Sequence, residues 1–132
     1  MGTRDALGIL LLAFVFALTA AVTDLRAEKP ERLLRHIVLY QFKDDVTPAQ
    51  IQEVIDAFAA LPKKINTIVE FEHGRNVSPE GKSEGLTYGF VVSFRSEQDR
   101  DAYLEHPAHL EYVKIVRDRR QKVVVFDYWT SE

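Results

Sequence analysis

Tyr103, His106 and His109 lie close together in 101-DAYLEHPAHLEY-112, with Pro107 between the two histidines. Proline lacks the N–H that a helix interior needs, yet it suits the first position of a new helix. A helix over 97–105 is therefore expected to stop and a second to restart at Pro107, with His106 at the cap and His109 in the first turn. An imidazole there feels the positive end of the helix dipole, which disfavours its protonated form and keeps it neutral near neutral pH. A neutral imidazole can accept a proton from a substrate. The Tyr103 phenol, one turn before the break, could project toward the same space and hold or polarise a carbonyl oxygen. The plainer alternative is a His-Pro pair that only caps a helix, with Tyr103 a core aromatic. The residues alone leave both open.

The elements that must position this motif follow from periodicity. The run 36-HIVLYQF-42 is β-branched and aromatic and reads as a strand, apolar on both parities, so both of its faces are expected to be covered. Thr47, Pro48 and Gln50 form a helix start, and Ile51, Val54, Ile55 and Phe58 fall on one helical face that ends near Leu61 and Pro62. A second strand is expected over 67–73, with Val69, Phe71 and His73 on one face. The segment 74–85 is a long loop rich in Gly, Ser, Asn and Pro, either disordered or a lid. A third strand follows in 86-LTYGFVVSF-94; 96-SEQD-99 then opens a broken helical region extending to about Arg120, and 123-VVVFDYW-129 is the fourth strand. Strand, helix, strand, strand, helix, strand is the ferredoxin-like βαββαβ order, an α+β fold with both helices on one face of a four-stranded antiparallel sheet. The other face is apolar in strands one and four, and pairing two sheets in a C2 homodimer covers it.

Composition narrows the class. The 132 residues are 46% hydrophobic and 28% charged, as in a folded globular domain. The charge-free run 6–22, preceded by Arg4 and followed by small residues, reads as the core of a secretory signal over 1–27, or as an uncleaved anchor, leaving a domain over 33–132. The expected location is secreted or periplasmic, with no membrane association once the signal is cleaved. Residues 1–27 carry two basic and two acidic side chains, so the net charge stays at −3 without them. A mildly acidic domain has no electrostatic footprint for nucleic acid. There is no cysteine, which excludes thiolate chemistry and Cys-based metal sites. Of His36, His73, His106 and His109 only the last two are near neighbours, and no carboxylate is patterned with them, so no metal is expected. The basic cluster 117-RDRRQK-122 reads as a solvated helix end, and Tyr128 and Trp129 as packing at a dimer edge.

Across about residues 35–129 the sequence resembles the stress-responsive dimeric α/β barrel (Dabb) family, in 35-RHIVLYQFKDDVT-47, 85-GLTYGFVVSFRS-96, 103-YLEHPAH-109 and 124-VVFDY-128. The resemblance implies a dimeric barrel of ferredoxin-like subunits. It also brings the example of a plant polyketide cyclase of the family, which closes its substrate by an intramolecular aldol reaction using a His and a Tyr. By motif those roles fall on His109 as base and Tyr103 as the residue that anchors and polarises the carbonyl, with His36 at the pocket wall. A third-strand histidine of the cyclase is Tyr88 here and a first-helix tyrosine is Phe58, so the polar lining differs and a different substrate is implied.

The leading expectation is therefore an exported homodimer with a small apolar pocket lined by His36, Val38, Tyr40, Phe58, Tyr88 and Phe90. In it His109 and Tyr103 perform acid–base chemistry on a small carbonyl compound without a cofactor. The alternative is a non-enzymatic ligand-binding or structural stress-response dimer.

Overall fold

The computed structural model describes residues 32–131; the charge-free run and the expected signal lie outside the described residues. The chain forms β1 (Leu34–Phe42), α1 (Pro48–Ala59), a 3-10 turn (Leu61–Lys63), β2 (Glu70–Arg75), β3 (Tyr88–Phe94), α2 (Glu97–Glu105), α3 (Pro107–Val116) and β4 (Arg120–Trp129). The four strands make one antiparallel sheet in the order β2-β3-β1-β4, the ferredoxin-like α+β topology expected from the element order.

Both helix starts expected from sequence form by side-chain capping. The Thr47 hydroxyl accepts from the Gln50 N–H while the Gln50 side chain accepts from the Thr47 N–H, and Pro48 occupies the first turn. Ser96 caps α2 through the Asp99 N–H. The break between α2 and α3 falls at Pro107, with His106 serving as C-cap of one helix and N-cap of the next.

β1 alternates strictly: Leu34, His36, Val38, Tyr40 and Phe42 are buried, and the residues between them are half-buried. The buried set joins Val54, Ile55 and Phe58 of α1, Phe90, Val92 and Phe94 of β3, and Tyr103, Tyr112 and Val116 of α2 and α3 in one core. Phe58 stacks on Phe90 with ring centroids 4.2 Å apart and meets Tyr112 edge-on at 4.6 Å. The opposite face carries Ile37, Leu39, Val91, Val124, Phe126 and Tyr128, as the cross-strand pairs Ile37–Phe126, Leu39–Val124, Arg35–Tyr128 and Ile37–Val91 require. No described element of this chain covers it, and Phe126 is 62% exposed. The expectation that both faces of strand one are covered therefore holds within the chain for one face only.

Several boundaries differ from the sequence reading. β2 begins at Glu70 and runs to Arg75, because its pairing with β3 continues through Gly74 opposite Gly89. α3 stops at Val116 and β4 starts at Arg120, so the basic cluster is shared between a helix end and a strand. Tyr128 and Trp129 are strand residues; Tyr128 is on the open face, while Trp129 packs against the core and lies 5.8 Å beneath the Arg32 guanidinium. The connection after β2 is built around Asn76, whose amide donates to Ser83 and to the Leu86 carbonyl while its oxygen accepts from the Ser78 N–H. Gly85 closes this connection at φ +81°, where an added Cβ would meet the Gln41 side chain at 2.7 Å.

Candidate functional site

Two helices present the same spacing to one cavity. Arg100, Tyr103 and Leu104 of α2 and His109, Tyr112 and Val113 of α3 each fall at i, i+3 and i+4, and all six line a cavity of about 460 Å³ against β1 and β4. Asp101 of α2, His36, Val38 and Tyr40 of β1, Phe58 of α1, and Arg120, Val123, Val125 and Asp127 of β4 supply the rest of its wall. β4 is an edge strand whose helix-side residues are only partly covered: Val125 is 54% exposed, so the cavity opens along this edge.

The proline break determines where the imidazoles sit. His106 Nδ1 accepts from the Ala108 N–H at 3.0 Å, so this ring is spent on capping α3. His109 turns back toward α2, where its Nδ1 donates to the Leu104 carbonyl at 3.0 Å, one of the carbonyls a helix C-terminus leaves unpaired. A carbonyl only accepts, so the proton resides on Nδ1 and the Nε2 lone pair remains available in the neutral ring. Burial lowers the His109 pKa below its usual 6.5; the Leu104 hydrogen bond opposes this, and His36 and His106 add to the lowering. This side chain is thus an unprotonated base near neutral pH.

Tyr103 lies against it, ring centroids 4.5 Å apart, and is 1% exposed. Burial raises its pKa well above the usual 10.0, so the phenol stays a neutral donor, and no hydrogen bond occupies its hydroxyl among the described residues. On its other side His36 stands edge-on at 5.8 Å. His36 is the cross-strand neighbour of Asp127, and its Nδ1 donates to Asp127 Oδ1 at 2.8 Å. The second carboxylate oxygen accepts from Arg100 Nη1 at 3.0 Å, and Arg100 also pairs with Asp101. Beyond His109 lies Tyr112, whose hydroxyl shares a 2.9 Å hydrogen bond with that of Tyr40. Burial holds both phenols above their usual range.

Of the residues anticipated from sequence, the structure brings His36, Val38, Tyr40, Phe58, Tyr103 and His109 to one cavity. Tyr88 and Phe90 do not line it. Phe90 is wholly buried behind Phe58, and Tyr88 sits toward β2, where its hydroxyl bonds His73 Nδ1 at 2.9 Å. The stacked Phe58–Phe90 pair is the partition between the two places. Loop 74–85 does not border this cavity either; it flanks a separate pocket of about 350 Å³ with Leu39 and Gly89.

Sequence reasoning missed Arg100, Tyr112, Arg120 and Asp127. Asp127 had a signal, a lone carboxylate at a helix-facing position of an apolar strand, and Tyr112 shares a helical face with His109. The cluster 117–122 is not simply a solvated end: Arg119 donates to the Gln50 carbonyl and pairs with Glu53, while Arg120 faces the cavity.

The fold and site together define an α+β ferredoxin-like domain with an acid–base-lined cavity between its helices and sheet. The family model for the stress responsive A/B barrel domain, Dabb, matches residues 34–130, and the chain belongs to that family. It is 36% identical over 101 residues to the stress-response A/B barrel domain-containing protein HS1 of Arabidopsis thaliana, covering 76% of this chain and 93% of that one. To the olivetolic acid cyclase of Cannabis sativa it is 30% identical over 95 residues, covering 72% and 94%. Among solved structures, the hydroxynitrile lyase of Passiflora edulis superposes with a TM-score of 0.73 at 27% identity over 78% of this chain and 97% of that one. The family relatives thus include enzymes, and solved neighbours of the same fold include proteins described as dimeric.

Proposed function

We propose that this protein is an exported Dabb homodimer that performs acid–base chemistry on a small carbonyl compound, with His109 as base and Tyr103 as the donor to the carbonyl oxygen. The observation that carries the reading is the contact of the two rings at 4.5 Å in one cavity, with His109 Nδ1 tied to the Leu104 carbonyl. His109 Nε2 removes a proton from the carbon next to the carbonyl; the C–H electron pair moves into the C–C bond as the carbonyl π pair moves onto oxygen. The Tyr103 hydroxyl donates to that oxyanion from a buried position, where an electrostatic contact is strongest. Return of the proton to carbon completes an exchange; in an addition the enolate carbon attacks a second carbonyl, whose π pair moves onto its oxygen, and that alkoxide takes the proton from His109 Nε2, restoring the base. A cyclase and a hydroxynitrile lyase among the relatives support an enzymatic role for this cavity.

The apolar open face, with Phe126 at 62% exposure, supports pairing of two sheets, and the charge-free run 6–22 supports export. The test is turnover, followed as exchange of the α-protons of small ketones into D₂O. His109→Ala and Tyr103→Phe are expected to lower it by about 10²- to 10⁴-fold while the fold is retained. Unchanged exchange in a folded His109→Ala variant sinks the catalytic reading and leaves a ligand-binding dimer.

A further inference from the structure

The cavity is electrically polarised along its length, and one feature of the sheet creates the polarity. β1 and β4 pair in register from Leu34–Trp129 through Gln41–Lys122, then shift, so that Phe42 pairs with Arg120. The shift skips Gln121. Without it Gln121 would follow Val123 on the helix-covered face and Arg120 would fall on the open face. The bulge thus re-aims Arg120 toward the helices, the kind of redirection bulges serve beside sites. There it lines the cavity, with its guanidinium 6.0 Å over the Tyr40 ring and no acidic partner among the described residues.

At the other end the single positive charge of Arg100 lies between Asp127 and Asp101, at 3.0 Å from each, so that trio carries a net negative charge. The path between the ends is His36, Tyr103, His109, Tyr112 and Tyr40, each in contact with the next. A ligand laid along it meets repulsion for an anion at Asp127 and an unneutralised guanidinium at Arg120.

We infer that the cavity takes a keto acid, a carbonyl compound with a carboxylate at one end, whose anionic group is held by Arg120 at the β4 mouth while its carbonyl reaches Tyr103 and His109. The inference rests on the acid–base reading for the position of the carbonyl, and on the bulge and the charges alone for the carboxylate. Arg is suited to the task because its planar fork matches a carboxylate and stays charged at all relevant pH values.

The experiment compares 4-oxo-4-phenylbutanoate with its primary amide, by calorimetry at low salt on the full chain. The acid is expected to bind about tenfold tighter, the order of a charge-assisted contact, and added salt should narrow the gap. Arg120→Gln should bring the two affinities together, Arg120→Lys should keep part of the preference, and His109→Ala should keep all of it. Equal affinities in the wild-type protein, no measurable binding of the acid, or a preference that survives Arg120→Gln overturns the inference. If the preference behaves as expected while His109→Ala leaves proton exchange untouched, the acid–base reading falls and the carboxylate site stands.

Discussion

Asp127→Asn tests whether the sheet register builds a working His–carboxylate pair. Among the described residues Asp127 is the only carboxylate bonded to His36, through a 2.8 Å contact, and it also accepts from Arg100 at 3.0 Å. The substitution keeps shape and removes charge. An amide can present its oxygen to only one of these two donors; facing Arg100, it turns its NH₂ toward His36 Nδ1, which must then become an acceptor. The imidazole proton moves to Nε2, which changes from acceptor to donor. A hydrogen bond to a charged group contributes about 1.5–3 kcal/mol. The side chains of Asp127 and Arg100 are each 22% exposed and Arg100 keeps Asp101, so solvent screening reduces that figure to about 1–2 kcal/mol. For a domain of this size that lowers Tm by roughly 4–8 °C per kcal/mol. Urea unfolding at pH 7.5 measures the loss, and long-range ¹⁵N–¹H spectra of the imidazoles report the tautomer. A loss under about 0.5 kcal/mol, the scatter of an ordinary surface change, together with an unmoved His36 tautomer would refute the coupling.

Burial places the His109 pKa below 6.5, so the acid limb of the proton-exchange profile should lie below pH 6.5; a limb at or above that value contradicts the assignment. The sign for stability follows from the same shift: the unfolded imidazole takes up its proton first as pH drops under 6.5, so the contribution is complete above 6.5 and is lost as pH falls through the folded value. His109→Gln should flatten that part of the pH–stability curve, read from urea midpoints. Phe126→Glu places a charge in the proposed sheet-to-sheet interface of both subunits, and it should raise the dimer dissociation constant by at least about tenfold in light scattering, with the circular dichroism unchanged. An unaltered dimer would place the subunit contact elsewhere.

Much of this protein was legible in its sequence because the signals are local. Thr47, Ser96 and His106 cap helix starts through hydrogen bonds that span no more than three residues, and the alternation of β1 is visible in its side chains. The contact between Tyr103 and His109 was accessible for the same reason, since both sit beside one proline. The pairing of His36 with Asp127 could not be read, because 91 residues separate them and only the strand register makes them neighbours. The exclusion of Tyr88 from the cavity depended on where Phe58 and Phe90 stack, a matter of packing between helix and sheet. Arg120 looked like any cation at a helix end until a one-residue shift in pairing turned it inward. Sequence by itself thus determined the elements, their order and the Tyr103–His109 motif at the proline break, because caps, prolines and periodicity act over a few residues. The tertiary structure alone decided which distant side chains face that motif and where charge lies along the cavity, because strand register and side-chain packing are set only when the whole sheet assembles.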